Sequence, residues 1–125
     1  MKDILVVDDE EINRSFLVDL LRMHKIPASQ ASNGQDAVEK WRLGDYSAIL
    51  MDIQMPILDG YAATREIRQL ENKDSRTPTP IIAVTANNSL EARQACFAAG
   101  IDDFVAKPVI ISELLRVVLP LIRHQ

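Results

Sequence analysis

The chain has 125 residues, a formal net charge of −4 at pH 7 and a single cysteine, Cys96. That length fits one domain spanning 1–125, large enough to bury a core without covalent staples, and the lone cysteine excludes an intrachain disulfide and fits a reducing compartment. The acidic balance weighs against nucleic acid as a direct partner, because phosphate backbones are held by clustered positive charge; the apolar stretches are too short to span a bilayer.

Met1-Lys2-Asp3 runs straight into an apolar segment, so no secretory leader is expected. Residues 3–8 read as a first strand, and 10–24 as a helix with Ile12, Leu17, Leu20, Leu21 and His24 near helical spacing. Pro27 ends it. Residues 28–32 form a weak polar strand suited to a sheet edge. Asn33-Gly34 caps a helix over 34–44 with Ala37, Val38 and Trp41 inward, and 47–52 is the third strand. Asp59 is the N-cap of a helix over 60–71. The polar stretch from Asn72 to Pro80 is expected to be the most mobile connection. A fourth strand over 81–85 precedes a helix over 88–99, which Gly100 closes. A fifth strand over 103–107 leads into a helix over 111–122, interrupted at Pro120.

Strands alternating with helices imply βαβ units, hence an α/β fold with a parallel sheet between two helical layers. Placing the polar second strand at the edge and the apolar first and third strands centrally gives the order 2-1-3-4-5, one of the two common doubly wound orders.

Four of the strands end in chemistry. Ile4-Leu5-Val6-Val7 leads into Asp8-Asp9, Ala48-Ile49-Leu50-Met51 into Asp52, Ile81-Ile82-Ala83-Val84 into Thr85, and Phe104-Val105-Ala106 into Lys107. In a parallel sheet these residues gather at the carboxyl edge, where open α/β sheets hold ligands. Three crowded carboxylates call for a cation, and the neighbouring ammonium calls for a further anion. A divalent metal with a phosphoryl group satisfies both. Asp9 and Asp52 can each offer Mg2+ an oxygen, Asp8 can act through a water, and a carbonyl just past Asp52, at Gln54, is within reach. Asp52 is then the natural nucleophile for an aspartyl phosphate, with Lys107 and Thr85 facing the phosphoryl oxygens.

In this order and spacing, Leu5-Val6-Val7-Asp8-Asp9, Met51-Asp52-Ile53-Gln54-Met55-Pro56, Asp59-Gly60, Val84-Thr85-Ala86 and Ala99-Gly100-Ile101-Asp102-Asp103-Phe104-Val105-Ala106-Lys107-Pro108 resemble the receiver domains of two-component response regulators over essentially the whole chain. Ile12-Asn13-Arg14 and the segment from Ala99 to Phe104 look most like receivers of hybrid sensor histidine kinases. The resemblance implies a flavodoxin-like (βα)5 fold and a cytoplasmic setting, with a histidine kinase or histidine phosphotransfer domain as phosphodonor. It also implies Mg2+, with Mn2+ as a substitute, held by Asp8, Asp9, Asp52 and the Gln54 carbonyl. Asp52 is implied as phosphoacceptor, Thr85 and Lys107 as phosphoryl contacts, and Phe104 as a switch aromatic whose rotamer follows Thr85. The Lys107-Pro108 bond is implied to be cis. The downstream partner, or a second copy, is expected at the face formed by the fourth helix, fifth strand and fifth helix.

Plainer readings stand beside these. Thr85 alone is an ordinary β-branched strand residue, Phe104 also reads as a core ring, and Phe16, Trp41 and Phe97 read as packing residues. Cys96 reads as an inert, partly buried thiol, and Asp102-Asp103 as a turn. Val109-Ile110-Ile111 stands where receiver domains usually have a capping residue, and the run reads either as part of an exposed partner surface or as plain core. Two other functions share the architecture. A metal-dependent aspartyl phosphatase usually carries its nucleophile after the first strand as Asp-x-Asp. A flavin or nucleotide module needs a phosphate-cradling loop there, and Asp9-Glu10-Glu11 repels a phosphate.

Overall fold

The computed structural model describes residues 2–53, 55, 59–87 and 89–123. Its elements are β1 (Asp3–Val7), α1 (Glu11–Met23), β2 (Ala28–Ala31), α2 (Gly34–Leu43), β3 (Tyr46–Asp52), α3 (Gly60–Lys73), β4 (Ile81–Thr85), α4 (Leu90–Ala99), β5 (Asp103–Ala106) and α5 (Ile111–Arg123). All strand pairs are parallel, and the sheet order is β2-β1-β3-β4-β5. The expected topology is the observed one, with the polar β2 at one edge.

The apolar runs are continuous because the sheet is covered on both faces, and successive side chains point to opposite faces. Leu5, Val7, Ile49, Met51, Ile81 and Ala83 face one layer, where they meet Trp41 and Val38 of α2, Ile67 of α3 and Cys96 of α4. Ile4, Val6, Leu50, Ile82, Val84 and Val105 face the other, against Leu17 and Leu21 of α1 and Leu114 and Val118 of α5.

Side-chain caps set the starts of α2, α3 and α4. Asn33 accepts the Asp36 N–H, Asp59 the Ala62 N–H and Ser89 the Ala92 N–H. Gly100 closes α4 with φ of 104°, a left-handed conformation that favours glycine. Gly60 is required for a different reason. A Cβ there would lie 2.6 Å from the Asp52 carbonyl oxygen and 2.8 Å from Ile53 Cα, so any side chain would displace the end of β3.

Some expectations fail. Pro120 does not interrupt the last helix, which runs through it to Arg123. A proline removes one N–H and crowds the preceding turn, but Pro120 and Arg116 are both on the exposed side of α5, so water can satisfy the released carbonyl. Ile12 and His24 are exposed; α1 buries Leu17, Val18 and Leu21 instead. Phe16 and Phe97, read as packing residues, are each more than half exposed, whereas Trp41 is buried. Asp103 opens β5, as the expected strand range has it, so the reading of Asp102-Asp103 as a turn fails for Asp103. The segment before β4 is tied down: Arg76 stacks 4.1 Å from the Trp41 ring centroid and donates to the Gly44 carbonyl at 2.7 Å, and the Thr79 N–H donates to Glu71 at 2.7 Å.

Candidate functional site

The parallel registers bring the strand ends together. Val7 pairs with Met51 and Asp52 with Val84, while Thr85 pairs with Ala106, so the residues just beyond β1, β3, β4 and β5 share one edge. The Lys107 N–H donates to the Thr85 carbonyl at 2.8 Å, which continues the ladder one step past β5. The Lys107–Pro108 bond is cis, as the resemblance implied.

One oxygen from each of Asp8, Asp9 and Asp52 lies within 4.8 Å of the others. Asp8 and Asp52 are buried and Asp9 is exposed, so the cluster has two walls and an open rim. Lys107 Nζ sits 3.4 Å from Asp52 Oδ1 and 3.9 Å from Asp8 Oδ2. Asp8 Oδ1 accepts the Glu10 N–H at 2.9 Å, whereas Asp8 Oδ2 makes no hydrogen bond among the described residues. A buried carboxylate oxygen without a donor is costly unless a cation faces it. One lysine cannot neutralise three carboxylates. All-oxygen donors with an open rim fit a hard divalent ion that keeps several waters, so the residues present fit Mg2+. The Gln54 carbonyl lies outside the described residues.

Thr85 is buried, and its hydroxyl accepts the Asn87 N–H at 3.0 Å and donates to the Asn87 carbonyl at 3.3 Å. Phe104 is half-buried against the core, and the Arg93 guanidinium lies 4.5 Å from its ring centroid. A groove of about 320 Å3 runs beside it between α4, β5 and α5, lined by Arg93, Phe104, Ile110, Glu113 and Arg116. Of the Val109-Ile110-Ile111 run, Ile110 is 60% exposed, whereas Val109 and Ile111 pack against the core.

The sequence matches the response regulator receiver domain family over residues 4–119. The chain belongs to that family. It is 41% identical over 118 residues to hybrid signal transduction histidine kinase L of Dictyostelium discoideum, a match covering 92% of this chain but only 7% of the kinase. Among solved structures, the receiver domain of Saccharomyces cerevisiae Ssk1, crystallised with the histidine phosphotransfer protein Ypd1, superposes with a TM-score of 0.89 at 35% identity, covering 94% of this chain and 86% of that one. The receiver domain of sensor histidine kinase PA1611 from Pseudomonas aeruginosa, solved with magnesium in its active-site cleft, gives 0.86 at 39% identity and covers 98% of both chains. Membership of this family makes the chain a signal-receiving module of the response regulator type. Among the described residues, no helix is long and apolar enough to cross a membrane.

Two polar groups of this receiver domain, one beside the site and one remote from it, carry no role in the sequence reading. Arg14 and Gln30 bracket the end of β1: Arg14 donates to the Asp8 carbonyl and to Gln30 Oε1, both at 2.9 Å. At the opposite edge of the sheet, Arg68 donates to Glu71, Thr79, Gly100 and Asp102. Glu71 had left a signal, since it falls on the apolar stripe of Gly60, Ala63, Thr64 and Ile67 at helical spacing. Arg14 had stood only in the Ile12-Asn13-Arg14 stretch of the receiver resemblance, with no role assigned, and in a first turn, where cations are disfavoured.

Proposed function

We propose that Asp52 is the phosphoacceptor of this receiver domain and that Asp8, Asp9 and Asp52 hold a Mg2+ ion, which Mn2+ can replace. The observation that carries this reading is the cluster of three carboxylates within 4.8 Å, with Lys107 Nζ 3.4 Å from Asp52 Oδ1. An Asp52 oxygen forms a bond to the phosphorus of a phosphohistidine as the phosphorus–nitrogen bond breaks and its electron pair stays with the imidazole. Bound at the cluster, the ion supplies positive charge to the phosphoryl oxygens. Lys107 supplies charge from the other side, and its position beside Asp52 holds the nucleophilic oxygen in place. Thr85, on leaving Asn87, can offer its hydroxyl to the phosphoryl group, and Phe104 follows as the switch aromatic.

The phosphodonor is a histidine kinase or histidine phosphotransfer domain, by analogy with the Ypd1 complex of the yeast relative. The chain's small share of its kinase relative supports placing it in a larger protein, such as a hybrid histidine kinase. The free Cys96 supports a reducing, cytoplasmic compartment. The groove beside Phe104 is where a downstream partner or a second copy reads the phosphorylated state.

The test is incubation with acetyl phosphate and Mg2+ followed by intact mass measurement. One phosphoryl group is expected on the native chain and none on Asp52→Asn. Equal labelling of both would remove Asp52 from the role.

A further inference from the structure

Arg14 is a cation at the end of the first turn of α1, next to a helix N-terminus that repels positive charge. Its guanidinium is nonetheless fixed at two points. Nη1 donates to the Asp8 carbonyl and Nε to Gln30 Oε1, each at 2.9 Å. Gln30 lies on β2, so the side chain spans from α1 across the end of β1 to the edge strand.

Every other polar atom of Asp8 except one is also engaged. Its N–H donates to the Ala31 carbonyl at 3.2 Å and its Oδ1 accepts the Glu10 N–H at 2.9 Å. Only Oδ2 makes no hydrogen bond among the described residues, and it faces Lys107 Nζ at 3.9 Å. The backbone of Asp8 is thus held from both sides, and the carboxylate is rotated so that one oxygen is presented to the cluster. Without the arginine, the Asp8 carbonyl loses its charged donor and the turn from β1 into α1 gains freedom.

We infer that Arg14, braced by Gln30, is a positioning residue for the metal cluster, acting through the Asp8 carbonyl to fix where Asp8 Oδ2 points. The inference rests on the proposed function, since it takes the cluster to be a Mg2+ site. Partners that orient a metal ligand change affinity without touching the ion, typically by about 10–100-fold. The alternative account of Arg14 is electrostatic, a positive charge that merely offsets Asp8, Asp9, Glu10 and Glu11. The two accounts differ in sign. A charge acting alone repels Mg2+, so its removal should tighten binding; loss of a positioning contact should weaken it.

The experiment is calorimetric Mg2+ titration of the native chain, Arg14→Ala, Arg14→Lys and Gln30→Ala, well below each melting temperature. Arg14→Ala is expected to weaken Mg2+ binding by about tenfold, Gln30→Ala to weaken it less although the charge is kept, and Arg14→Lys to fall between native and Arg14→Ala. The Mg2+ concentration for half-maximal labelling by acetyl phosphate should rise in parallel, with the rate at saturating Mg2+ largely restored. Unchanged or tighter binding in Arg14→Ala overturns the inference. A purely structural role would lower the melting temperature and leave the affinity of the folded protein unmoved, which also overturns it. If Arg14→Ala does not fold, Gln30→Ala and Arg14→Lys decide by the same criterion. A native chain that binds no Mg2+ would instead bring down the proposed function, and the inference with it.

Discussion

The Thr85 hydroxyl closes a ring with the backbone of Asn87, accepting its N–H at 3.0 Å and donating to its carbonyl at 3.3 Å. In this state the hydroxyl is committed to the loop that leads into α4. A phosphoryl group on Asp52 would add nearly two negative charges and several acceptor oxygens nearby, and the single O–H cannot donate both to one of these and to the Asn87 carbonyl. Its release changes the start of α4, a helix whose buried residues, Cys96 and Ala99, lie near its far end.

Thr85→Ala is therefore expected to accept a phosphoryl group at Asp52 without transmitting the change. Backbone amide NMR with beryllium fluoride, a stable phosphoryl mimic, should show shifts around Asp8, Asp52 and Lys107 in both proteins. Shifts across α4, β5 and α5 should appear only in the native chain. The same long-range shifts in Thr85→Ala would rule out the Thr85–Phe104 relay, because a ligand moves a two-state equilibrium only through contacts that differ between the states.

Lys107 competes with a metal for the same carboxylates, at 3.4 Å from Asp52 and 3.9 Å from Asp8. Lys107→Ala should bind Mg2+ at least as tightly as the native chain, because a nearby cation has gone. Its labelling by acetyl phosphate should nevertheless slow by about 100-fold, the usual loss when one preorganised donor to transition-state charge is removed. Calorimetry and timed intact mass measurements separate the two effects. A parallel fall in both would mean that Lys107 only maintains the pocket.

Asp8 and Asp52 are buried like charges held in proximity. Function then opposes stability, since the two like charges repel each other. Asp8→Asn should raise the melting temperature of the metal-free protein by a few degrees, corresponding to about 1 kcal/mol. It should also reduce the further rise that Mg2+ gives the native chain, which at a concentration of 100 times Kd amounts to about 2.7 kcal/mol. Asp9→Ala should weaken Mg2+ binding more than Asp8→Ala, because the proposed site has Asp9 offer the ion an oxygen while Asp8 acts through a water. Thermal melts with EDTA and with Mg2+ test the first two expectations and calorimetry the third.

Cys96 faces Tyr61, and burial pushes its thiol above the ordinary value of 9.0, with the Tyr61 contact pulling slightly the other way. Tyr61 and Tyr46 are also raised above 10.0, burial again being the main cause, with Cys96 and then Asp59 adding to it at Tyr61, and Asp3 and Asp36 at Tyr46. Groups whose folded values are raised give stability that is complete below their unfolded values and is lost as pH rises through the folded ones. Stability should thus be flat toward pH 8 and decline progressively above pH 9. Denaturant melts from pH 7 to 11 should show the decline starting later in Cys96→Ala, and iodoacetamide at pH 8 should alkylate the native thiol far more slowly than the unfolded one. Equal alkylation rates would contradict the burial argument.

The topology and the cluster were legible because they follow from short apolar runs that end in charged residues. Such runs bury both faces of a parallel strand, and their ends must share an edge. The proximity of Asp8, Asp9, Asp52 and Lys107 was readable in this way. Arg14 and Gln30 were not legible as a pair, since 16 residues separate them and only the β1–β2 register brings them together. Ile12, Phe16 and Phe97 were misread because spacing marks two possible faces of a helix, and the sheet selects one. Pro120 was misread because the propensity argument assumes an interior position, and its side of α5 is exposed.

The clasp at the far edge of the sheet gives the last prediction. Arg68 donates to Glu71 Oε1 at 2.8 Å, the Thr79 carbonyl at 2.9 Å, the Gly100 carbonyl at 3.0 Å and Asp102 Oδ2 at 2.8 Å. It joins the end of α3, the approach to β4, the end of α4 and the approach to β5. Glu71 is buried and also accepts the Thr79 N–H at 2.7 Å, while Thr79 accepts the Trp41 indole N–H at 3.1 Å. Arg68→Ala would leave the Glu71 carboxylate buried without its cation, and breaking such a pair from one side typically costs about 3–5 kcal/mol. The lower end applies here because Arg68 is 20% exposed and water can reach part of the gap. Glu71→Gln keeps the shape and an acceptor for the Thr79 N–H, so it should cost less than Arg68→Ala. Neither change should alter Mg2+ affinity in the folded protein, because the clasp lies at the strand ends opposite Asp8 and Asp52. Urea melts and calorimetry on the two variants check this. A large loss of Mg2+ affinity in Glu71→Gln would mean that the two edges of the sheet are coupled.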